Sequence, residues 1–466
     1  MKPTFISVAT ALLTTVFATH ASSQPPHAYN VFVDAGANPD GDGTATAPYQ
    51  TITRAFERAR QIRATVPVTG KIHVHVAPGE YVESFPVYLN VSNVDLHGST
   101  RLLEDENGLP ANCGTDSTPA PCIEPGTETL ITPALPLTAT TQTMLFIAPT
   151  IDSEFDKLSD VTVRGFVIDG KAVNLATGGV GMFVDRVDNF SIQGNVTRRL
   201  LIGVRTDLSS GSIKGHFAYQ SMDGLAIAGG SSIYPARVEA KANRLLNNLE
   251  QGLVALGAAS VKGRIRTSTL LKPVQTLFDP LQHPEQVPDT LVLSVIGNDM
   301  SGGPRFGMRL EAYISGSAFY DTTDNQPMTS RIVATVRGNS FRNNGEYGVT
   351  VEGAFVPRGN PRAFTALFDG HFEANDFTGN GRAGLFAGFM LNGVVTRNPG
   401  LIVTNKYLVD SRFAIEGDAP HMDIDFDNPV LDPFDGVTPL NNALAVNGVP
   451  FIGRHVTCPP GYPCVQ

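Results

Sequence analysis

Short apolar runs with strand-like alternation recur along the chain, separated by turns that contain Asn and Gly. The stretches GNSFRNNGEYGVTVEG (338–353) and ANDFTGNGRAGLFAG (374–388) follow the same order. Each has a small residue, Asn, a polar residue, Phe, then Asn and Gly, and finally a Gly that opens an alternating apolar run. Asn and Gly accept the left-handed backbone conformations of sharp turns. The pattern therefore predicts a repeated unit of strand, Asn turn and strand.

The spacing within the unit is nearly constant. Nine residues separate the turn residue from the strand Gly in five copies, which are Asn243/Gly252, Asn298/Gly307, Asn339/Gly348, Asn375/Gly384 and, with Gly replacing Asn, Gly215/Gly224. In a sixth copy Asn195 precedes Gly203 by eight residues. A bulky apolar residue lies two positions after most turn residues: Phe217, Leu245, Met300, Phe341 and Phe377. Asn or Gly follows in several copies, at Asn247, Gly303, Asn344 and Asn380. Such regular spacing indicates a repeat architecture.

The strands are short and rich in β-branched residues, and most are not separated by helical patterns. Two-residue hairpin turns are scarce, which disfavours an antiparallel sandwich. A parallel coil explains the repeat better, because stacked coils share one continuous apolar core. Insertions such as 269–290 and 319–330 follow the Gly strands, so we expect them to form walls on one side of the coil.

The N-terminal region carries a family resemblance. VFVDAGANPDGDGTATAPYQTITRAFERAR, followed by IHVHVAPGEYVE, resembles the opening module of secreted proteins of the right-handed parallel β-helix (pectin-lyase-like) superfamily. In that module a helix plugs the open end of the coil. Here Thr51 can cap a helix whose apolar face carries Ile52, Ala55, Phe56 and Ala59. The resemblance spans about 31–427, including SDVTVRGFVIDG (159–170), and implies an all-β, single-stranded right-handed parallel β-helix with an N-terminal capping helix. No catalytic signature of pectate lyases, polygalacturonases or alginate epimerases is matched.

Four segments are expected along the chain. Residues 1–23, with an apolar stretch after Lys2, predict a signal peptide cleaved after Ala21 or Ser23, and a short buried helix is the alternative. Residues 24–100 form the cap and first coils, 101–430 the β-helix with long inserted loops, and 431–466 a C-terminal tail. We therefore expect a secreted or periplasmic monomer.

The composition excludes some classes of binding partner. The 466 residues carry a formal net charge of -10, which argues against nucleic acid. No segment after the leader approaches the ~20 apolar residues of a membrane span. Export permits disulfides, and the simplest pairing joins Cys113 to Cys122 and Cys458 to Cys464.

Candidate chemistry lies on the outward positions of the Gly strands. Alternation points Arg205, Asp207, Arg309, Glu311 and Glu352 outward. Glu311 and Glu352 would lie ~5 Å apart on adjacent strands. They would then share a proton, bind a cation, or be neutralised by Arg309 and Arg305. We expect Arg309, Glu311 and Glu352 as catalytic candidates.

Further candidates surround this strip. The substrate-binding set is Arg205, Asp207, Arg305, Tyr347, Arg382 and Phe386, the aromatic members being suited to stacking on sugars. Asp423, Asp425 and Asp427 alternate on one strand face and are candidate ligands for Ca²⁺, a cation that oxygen ligands of this kind favour. Asp223 and Glu250, which come just before strand glycines, are interpreted as turn residues.

Three interpretations of the strip remain open. It cleaves an extracellular polysaccharide as a lyase or as a glycoside hydrolase, a lyase being favoured of the two. Alternatively its charges pair across strands and do no chemistry. We expect a protein that binds, and in the first two cases cleaves, an extracellular polysaccharide; the alternative is a non-catalytic surface, adhesion or carbohydrate-binding β-helix protein.

Overall fold

A computed structural model describes residues 29–65, 70–115, 117–150, 157–229, 236–257, 289–311, 328–352, 364–381, 383–387 and six short strand segments between 392 and 450. Nearly all regular structure in these residues is β-strand, arranged in three long sheets. One α-helix, α1 (Ile52–Thr65), and one short 3-10 helix (Leu175–Thr177) complete it.

The strands are numbered in chain order. Sheet A contains β1 (Tyr29–Val33), β2 (Ile72–Val76), β5 (Val94–His97), β8 (Leu158–Ser159), β9 (Val161–Arg164), β12 (Val187–Gln193), β15 (Ser210–Lys214), β18 (Ala236–Lys241), β21 (Asp289–Ile296), β23 (Met328–Arg337), β25 (Phe364–Glu373), β27 (Asn392–Thr396), β29 (Arg412–Glu416), β31 (Ala443–Val446) and β32 (Val449–Pro450). Sheet B contains β3 (Gly79–Glu83), β6 (Thr129–Pro133), β10 (Val167–Asp169), β13 (Val196–Arg198), β16 (Phe217–Tyr219) and β19 (Arg244–Leu246). Sheet C contains β4 (Val87–Leu89), β7 (Thr143–Ile147), β11 (Val180–Asp185), β14 (Ile202–Asp207), β17 (Asp223–Ala228), β20 (Gln251–Leu256), β22 (Phe306–Glu311), β24 (Tyr347–Glu352), β26 (Ala383–Ala387), β28 (Val403–Asn405) and β30 (Asp425–Phe426).

The chain visits the three sheets in rotation. β12, β13 and β14 form one coil, and β15, β16 and β17 form the next, each strand pairing in parallel with its counterpart. Beyond β19, single bridges through Asp299, Ser340 and Asp376 continue the short sheet B. This is a right-handed parallel β-helix, as the repeat predicts. Each coil buries its inward side chains against the coils above and below, so one apolar core runs along the axis.

The helix α1 closes the N-terminal end of the coil. Ile52, Ala55, Phe56 and Ala59 are buried against the first strands, as the sequence predicts. The Thr51 hydroxyl accepts a hydrogen bond from the Arg54 backbone N–H at 3.3 Å, a capping contact. The helix thereby covers apolar core that an open solenoid end would expose.

A ladder of asparagines lies at the corner between sheets A and B. Asn243, Asn298, Asn339 and Asn375 are buried, and each Oδ1 of the last three accepts from both the backbone N–H and the Nδ2 of the preceding Asn, at 2.8–3.0 Å. The residue before each of Asn243, Asn298, Asn339 and Asn375 has a left-handed backbone, which explains the small residue in the pattern. The predicted column is confirmed.

One coil is out of register by one residue relative to the sequence prediction. Gly215 was expected to stand in the Asn position, but its φ of 60° places it in the left-handed position before the ladder. His216 occupies the Asn position: its backbone N–H donates to Asn243 Oδ1, and its Nε2 lies 2.9 Å from the Thr197 hydroxyl. This coil, like that of Asn195, therefore has an eight-residue spacing to the strand Gly.

The same shift reassigns Phe217. It was grouped with Leu245, Met300, Phe341 and Phe377, which do lie in the axial core. Phe217 instead pairs in register with Val196 and Arg244 and points out of sheet B into a second apolar cluster. Leu102 and Ile123, from the loop that follows β5, pack against that cluster.

A second Asn ladder lies at the corner between sheets B and C. Asn344 donates through Nδ2 to Asn380 Oδ1 at 3.2 Å, and Asn380 donates to the Phe341 carbonyl at 2.7 Å. In the coil of β19 the buried member is Asn248, whereas Asn247 has a left-handed backbone with a φ of 53°. The sequence analysis assigns this position to Asn247, four residues after Asn243, whereas in the other copies it comes five residues after the turn Asn, which is the spacing of Asn248.

Candidate functional site

The Gly strands of sheet C alternate as predicted. Their inward residues are fully buried in the axial core: Val204, Leu225, Leu253, Met308, Val349 and Leu385. Their outward residues form one row in strand register: Arg205, Ala226, Val254, Arg309 and Thr350. The backbone of Phe386 continues this register on β26. Loops of unequal length separate these residues in sequence, yet parallel pairing brings them into line.

Glu311 and Glu352 are direct register partners on β22 and β24, so the expected adjacency of these positions is confirmed. Arg309 Nε lies 2.5 Å from Glu311 Oε1, and the Glu311 side chain is only 6% exposed. A buried carboxylate needs such a partner to stay ionised. Of the three expectations for Glu311, neutralisation by Arg309 is the one observed among the described contacts.

Arg305 does not contact the ion pair of Arg309 and Glu311 in the described contacts. Its guanidinium contacts Glu250 at 2.7 Å and Glu346 at 3.5 Å, and it lies over the Phe306 ring at 4.7 Å. Tyr347 stacks in the same register column, with its ring 6.0 Å from that of Phe306. One face of Tyr347 is therefore covered by Phe306, and on its other side Tyr347 pairs in register with Ala383 of β26.

Asp223 belongs to the site, contrary to its interpretation as a turn residue. It begins β17 and lies in register with Gln251, whose Nε2 donates to its Oδ1. Burial of the carboxyl group, reinforced by the charge of Glu250, raises the pKa of Asp223 to about 8, while Arg309 acts in the opposite direction. At neutral pH Asp223 therefore holds a proton.

Two uncharged polar groups complete this region. Within the described part of the chain, Gln251 Oε1 and Thr350 Oγ1 are buried and have no hydrogen-bond partner. Such atoms are rare in folded proteins unless a ligand, ion or water satisfies them. We call Asp223, Gln251, Arg309, Glu311 and Thr350 the sheet C site. Strict alternation would have placed Asp223 and Gln251 on the inward side with Leu225 and Leu253, so the sequence pattern could not have identified them.

Arg205 and Asp207 lie in a separate cluster, three strands away from Arg309. Arg205 makes two hydrogen bonds with Asp207, at 3.0 and 2.7 Å, and also covers the Phe183 ring at 5.0 Å. Asp185 is the register partner of Asp207 and pairs with Arg186 at 3.1 Å. Burial, opposed by Arg186, raises the pKa of Asp185 to about 6. Small and apolar residues on β17 and β20 separate this cluster from the sheet C site.

Several predicted site residues are described only in part. For Glu352, Phe386 and Asp425 the structure describes the strand, and Arg382, Asp423 and Asp427 lie outside the described residues. In the parts of the chain that are described, no group of three or more His, Cys, Asp and Glu side chains could hold a metal ion. The calcium expectation at Asp423, Asp425 and Asp427 stays a prediction.

The first predicted disulfide is present. Cys113 and Cys122 are bonded within a loop whose Asp105 side chain and Pro110 carbonyl both accept hydrogen bonds from Arg244 of β19, at 2.7 and 2.8 Å. A disulfide fits an extracytoplasmic compartment. Cys458, Cys464 and the predicted signal peptide 1–23 lie outside the described residues. Over the described ranges, no helix has the length and apolar character needed to cross a membrane.

Comparisons with known proteins give one family match and several distant structural likenesses. Residues 35–263 match the model of a family described as a protein of unknown function, DUF1565. Comparison with curated proteins gives no match. Similar solved structures include the ORF18 protein of Geobacillus virus E2, at 12% identity and a TM-score of 0.37, covering 85% of this chain and 61% of that one. This chain thus spans under two thirds of the viral protein.

Two other similar structures are enzymes. The A-module of a mannuronan C-5 epimerase from Azotobacter vinelandii is 14% identical, with a TM-score of 0.45, 90% of this chain and 98% of that chain being covered. An exopolygalacturonase from Thermotoga maritima is 12% identical, with a TM-score of 0.38 and coverage of 92% and 94%. Likeness at this level concerns the fold, so function has to be argued from the residues of the sheet C site.

Proposed function

We propose that this chain, a member of the right-handed parallel β-helix superfamily, is an exported protein that binds an extracellular polysaccharide along the outer face of sheet C and hydrolyses it at the sheet C site. The observation that carries the proposal is that the site contains two carboxyl groups in opposite protonation states. Asp223 holds a proton at neutral pH because its pKa is raised to about 8, and Glu311 is ion-paired with Arg309. Glycosidases need one carboxyl group that is protonated and a second that is ionised.

The roles follow from these states. Asp223 would donate its proton to the glycosidic oxygen as the bond from the anomeric carbon to that oxygen breaks. Glu311 would accept a proton from the water whose oxygen attacks that carbon. Their strands, β17 and β22, have β20 between them, and Asp223 lies in the register column of Phe306, five residues before Glu311. The charge of Glu311 is among the causes that raise the pKa of Asp223, so the two carboxyl groups act on each other electrostatically.

The Arg contacts favour hydrolysis over elimination. A uronate lyase needs a cation to neutralise the sugar carboxylate while a base removes the neighbouring proton. Here Arg309 already contacts Glu311, and Arg305 contacts both Glu250 and Glu346. Both cations are thus neutralised by protein carboxylates. We therefore prefer a hydrolase to the lyase that the sequence alone favoured.

Other groups suit a sugar ligand. Gln251 Oε1 and Thr350 Oγ1 are buried without a described partner, so a water or an ion beneath a bound sugar can satisfy their hydrogen-bonding capacity. Because the strands of sheet C repeat every ~4.8 Å along the axis, a polymer lying parallel to the axis would meet equivalent positions on successive strands.

The test is a panel of neutral and uronate polysaccharides, with reducing ends and ultraviolet absorbance followed in parallel. Hydrolysis produces reducing ends without absorbance, whereas elimination adds absorbance from unsaturated ends. We expect Asp223→Asn and Glu311→Gln each to lower turnover about a hundredfold or more. Glu57→Gln, at an exposed position of α1, is the matched control and should leave turnover unchanged.

Three results would count against this function. Growth of absorbance would indicate a lyase, and binding without any cleavage would support a carbohydrate-binding or adhesion protein. Full turnover in Asp223→Asn together with Glu311→Gln would place the chemistry elsewhere on the chain.

A further inference from the structure

A row of basic residues runs along the outer face of sheet A, on a different side of the coil from the sheet C site. Eight consecutive strands contribute one register position each: His75, His97, Arg164, Gln193, Lys214, Lys241, Ile296 and Arg337. Six of the eight are basic and none is acidic, although the whole chain has a net charge of -10. We call these eight positions the basic row. At ~4.8 Å per strand it is about 34 Å long.

The central lysines are the accessible part of the basic row. Lys214 and Lys241 are exposed and are direct register partners on β15 and β18. Within the described part of the chain neither ammonium group makes an ion pair. By contrast, Arg164 contacts Asp95 at 3.2 Å and Arg337 contacts Glu373 at 3.4 Å. Two like charges held side by side without a described counter-ion favour an anion from outside the molecule.

Hydroxyl groups accompany the basic row. The neighbouring outward position, two residues earlier on each strand, carries Thr162, Ser191, Ser212, Ser294 and Thr335. Glu239 interrupts this second line on β18, between the exposed Arg237 and Lys241. Most strands from β9 to β23 therefore present a hydroxyl beside the basic row. Hydroxyls and cations at a regular pitch match a polymer that carries hydroxyls and regularly spaced negative charges.

We propose that the basic row is a second binding surface, which holds a linear acidic polysaccharide parallel to the coil axis. The occupant carries about one carboxylate or sulfate per sugar unit, so that successive charges meet successive strands. Single-stranded nucleic acid is a poorer fit, because its bases require stacking side chains. Between Arg164 and Arg337 the basic row has no aromatic member.

The histidines add little charge at neutral pH. Burial, together with the nearby charge of His73 or Arg164, lowers the pKa of His75 and of His97. The attraction at neutral pH therefore comes from the lysines and arginines. This surface does not depend on hydrolysis at the sheet C site, since it would tether the protein to an acidic matrix whether or not the chain is an enzyme.

The experiment measures binding of the full chain to polygalacturonate, with dextran as the uncharged probe. We expect Lys214→Glu/Lys241→Glu to weaken polygalacturonate binding about tenfold or more and to reduce its salt dependence. The control Arg58→Glu/Arg101→Glu changes the net charge by the same amount at two exposed positions on the helix and the disulfide loop. It should bind as the wild type does. All four positions are exposed, so thermal unfolding should confirm folding of both variants.

Three outcomes would decide against the proposal, and a further variant tests where the polymer binds. Equal loss in the control would mean that only net charge matters, and unchanged binding in the lysine variant would place the polyanion elsewhere. A single-stranded oligonucleotide that binds as tightly as polygalacturonate would overturn the choice of a polysaccharide. Glu311→Gln should leave polygalacturonate binding intact. Loss of that binding in Glu311→Gln would mean that the polymer binds at the sheet C site and not at the basic row, and the proposed hydrolysis would still stand.

Discussion

The Nδ2 of Asn298 donates to Oδ1 of Asn339 at 2.9 Å, although 41 residues separate them in sequence. Asn298 N–H donates to the same oxygen, so one amide side chain satisfies two groups of the preceding coil. The Nδ2 of Asn298 also reaches the Ala240 carbonyl at 2.9 Å. Buried backbone and side-chain groups at the corner are thereby satisfied without water, and adjacent coils are held in a single register.

Removing one member of this ladder should be costly. Asn298→Ala deprives the buried Asn243 N–H of its acceptor and leaves Asn243 Nδ2 with only one of its two acceptors, the Ile213 carbonyl. Because unsatisfied buried groups lose their full solvation, we expect a loss of about 2–4 kcal/mol in the free energy of unfolding. Urea unfolding followed by circular dichroism measures it. Ser294→Ala, on the outer face of the strand that leads to this corner, should change stability by less than about 0.5 kcal/mol. Equal effects of the two substitutions would refute a stabilising ladder.

His216 should make stability depend on acid pH. Burial lowers the pKa of His216 to about 3, against an ordinary value near 6.5. Between these values the unfolded chain binds a proton that the folded chain does not, so stability falls by about 1.4 kcal/mol for each pH unit below 6.5. We expect His216→Asn, which restores the residue of the neighbouring coils, to remove this contribution. The loss between about pH 7 and pH 4.5 should then be smaller by about 2–3 kcal/mol. An identical acid sensitivity in the variant would contradict the assignment.

The alkaline limb of activity should report on Asp223. If its proton is transferred to the leaving oxygen, kcat/KM should fall as pH rises through about 8, the pKa to which the carboxyl is raised. The charge of Glu250 contributes to that raised value. Glu250→Gln should therefore move the limb to lower pH, while leaving turnover at about pH 6 nearly intact. A pH profile that stays in place in this variant would show that another group is responsible.

The disulfide loop should stabilise sheet B. Cys113→Ser/Cys122→Ser opens the short loop 113–122. That loop is flanked by the segment that contacts Arg244 and by residues that pack on the apolar cluster around Phe217. For a closed loop of this length the chain-entropy contribution is about 2–3 kcal/mol. Reducing agent should lower the Tm of the wild type toward that of the variant and should not affect the variant. A reductant effect of equal size in both proteins would point to another disulfide.

Local patterns in the sequence are enough to specify the coil. Parallel stacking requires the same turn chemistry in every coil, so Asn298, Asn339 and Asn375 recur at a constant distance from the strand Gly. Alternation then separates inward Met308 from outward Arg309. Both signals are local, since they depend only on turn geometry and on the two-residue period of a strand. Where the spacing changes by one residue, at His216, local counting puts the wrong residue in the Asn position.

Contacts between coils determine which side chains pair with each other and which carboxyl groups hold a proton. Insertions of unequal length separate the strands, and the sequence does not indicate which side chains meet across them. Arg305 therefore contacts Glu250 and Glu346 and not Glu311, and Asp223 joins the site although it looked like a turn residue. The protonation of Asp223 is also a tertiary property, because its pKa is raised by burial and by charges that neighbouring coils bring close. For this reason the fold could be predicted from periodicity, whereas the acid and base of the site could not.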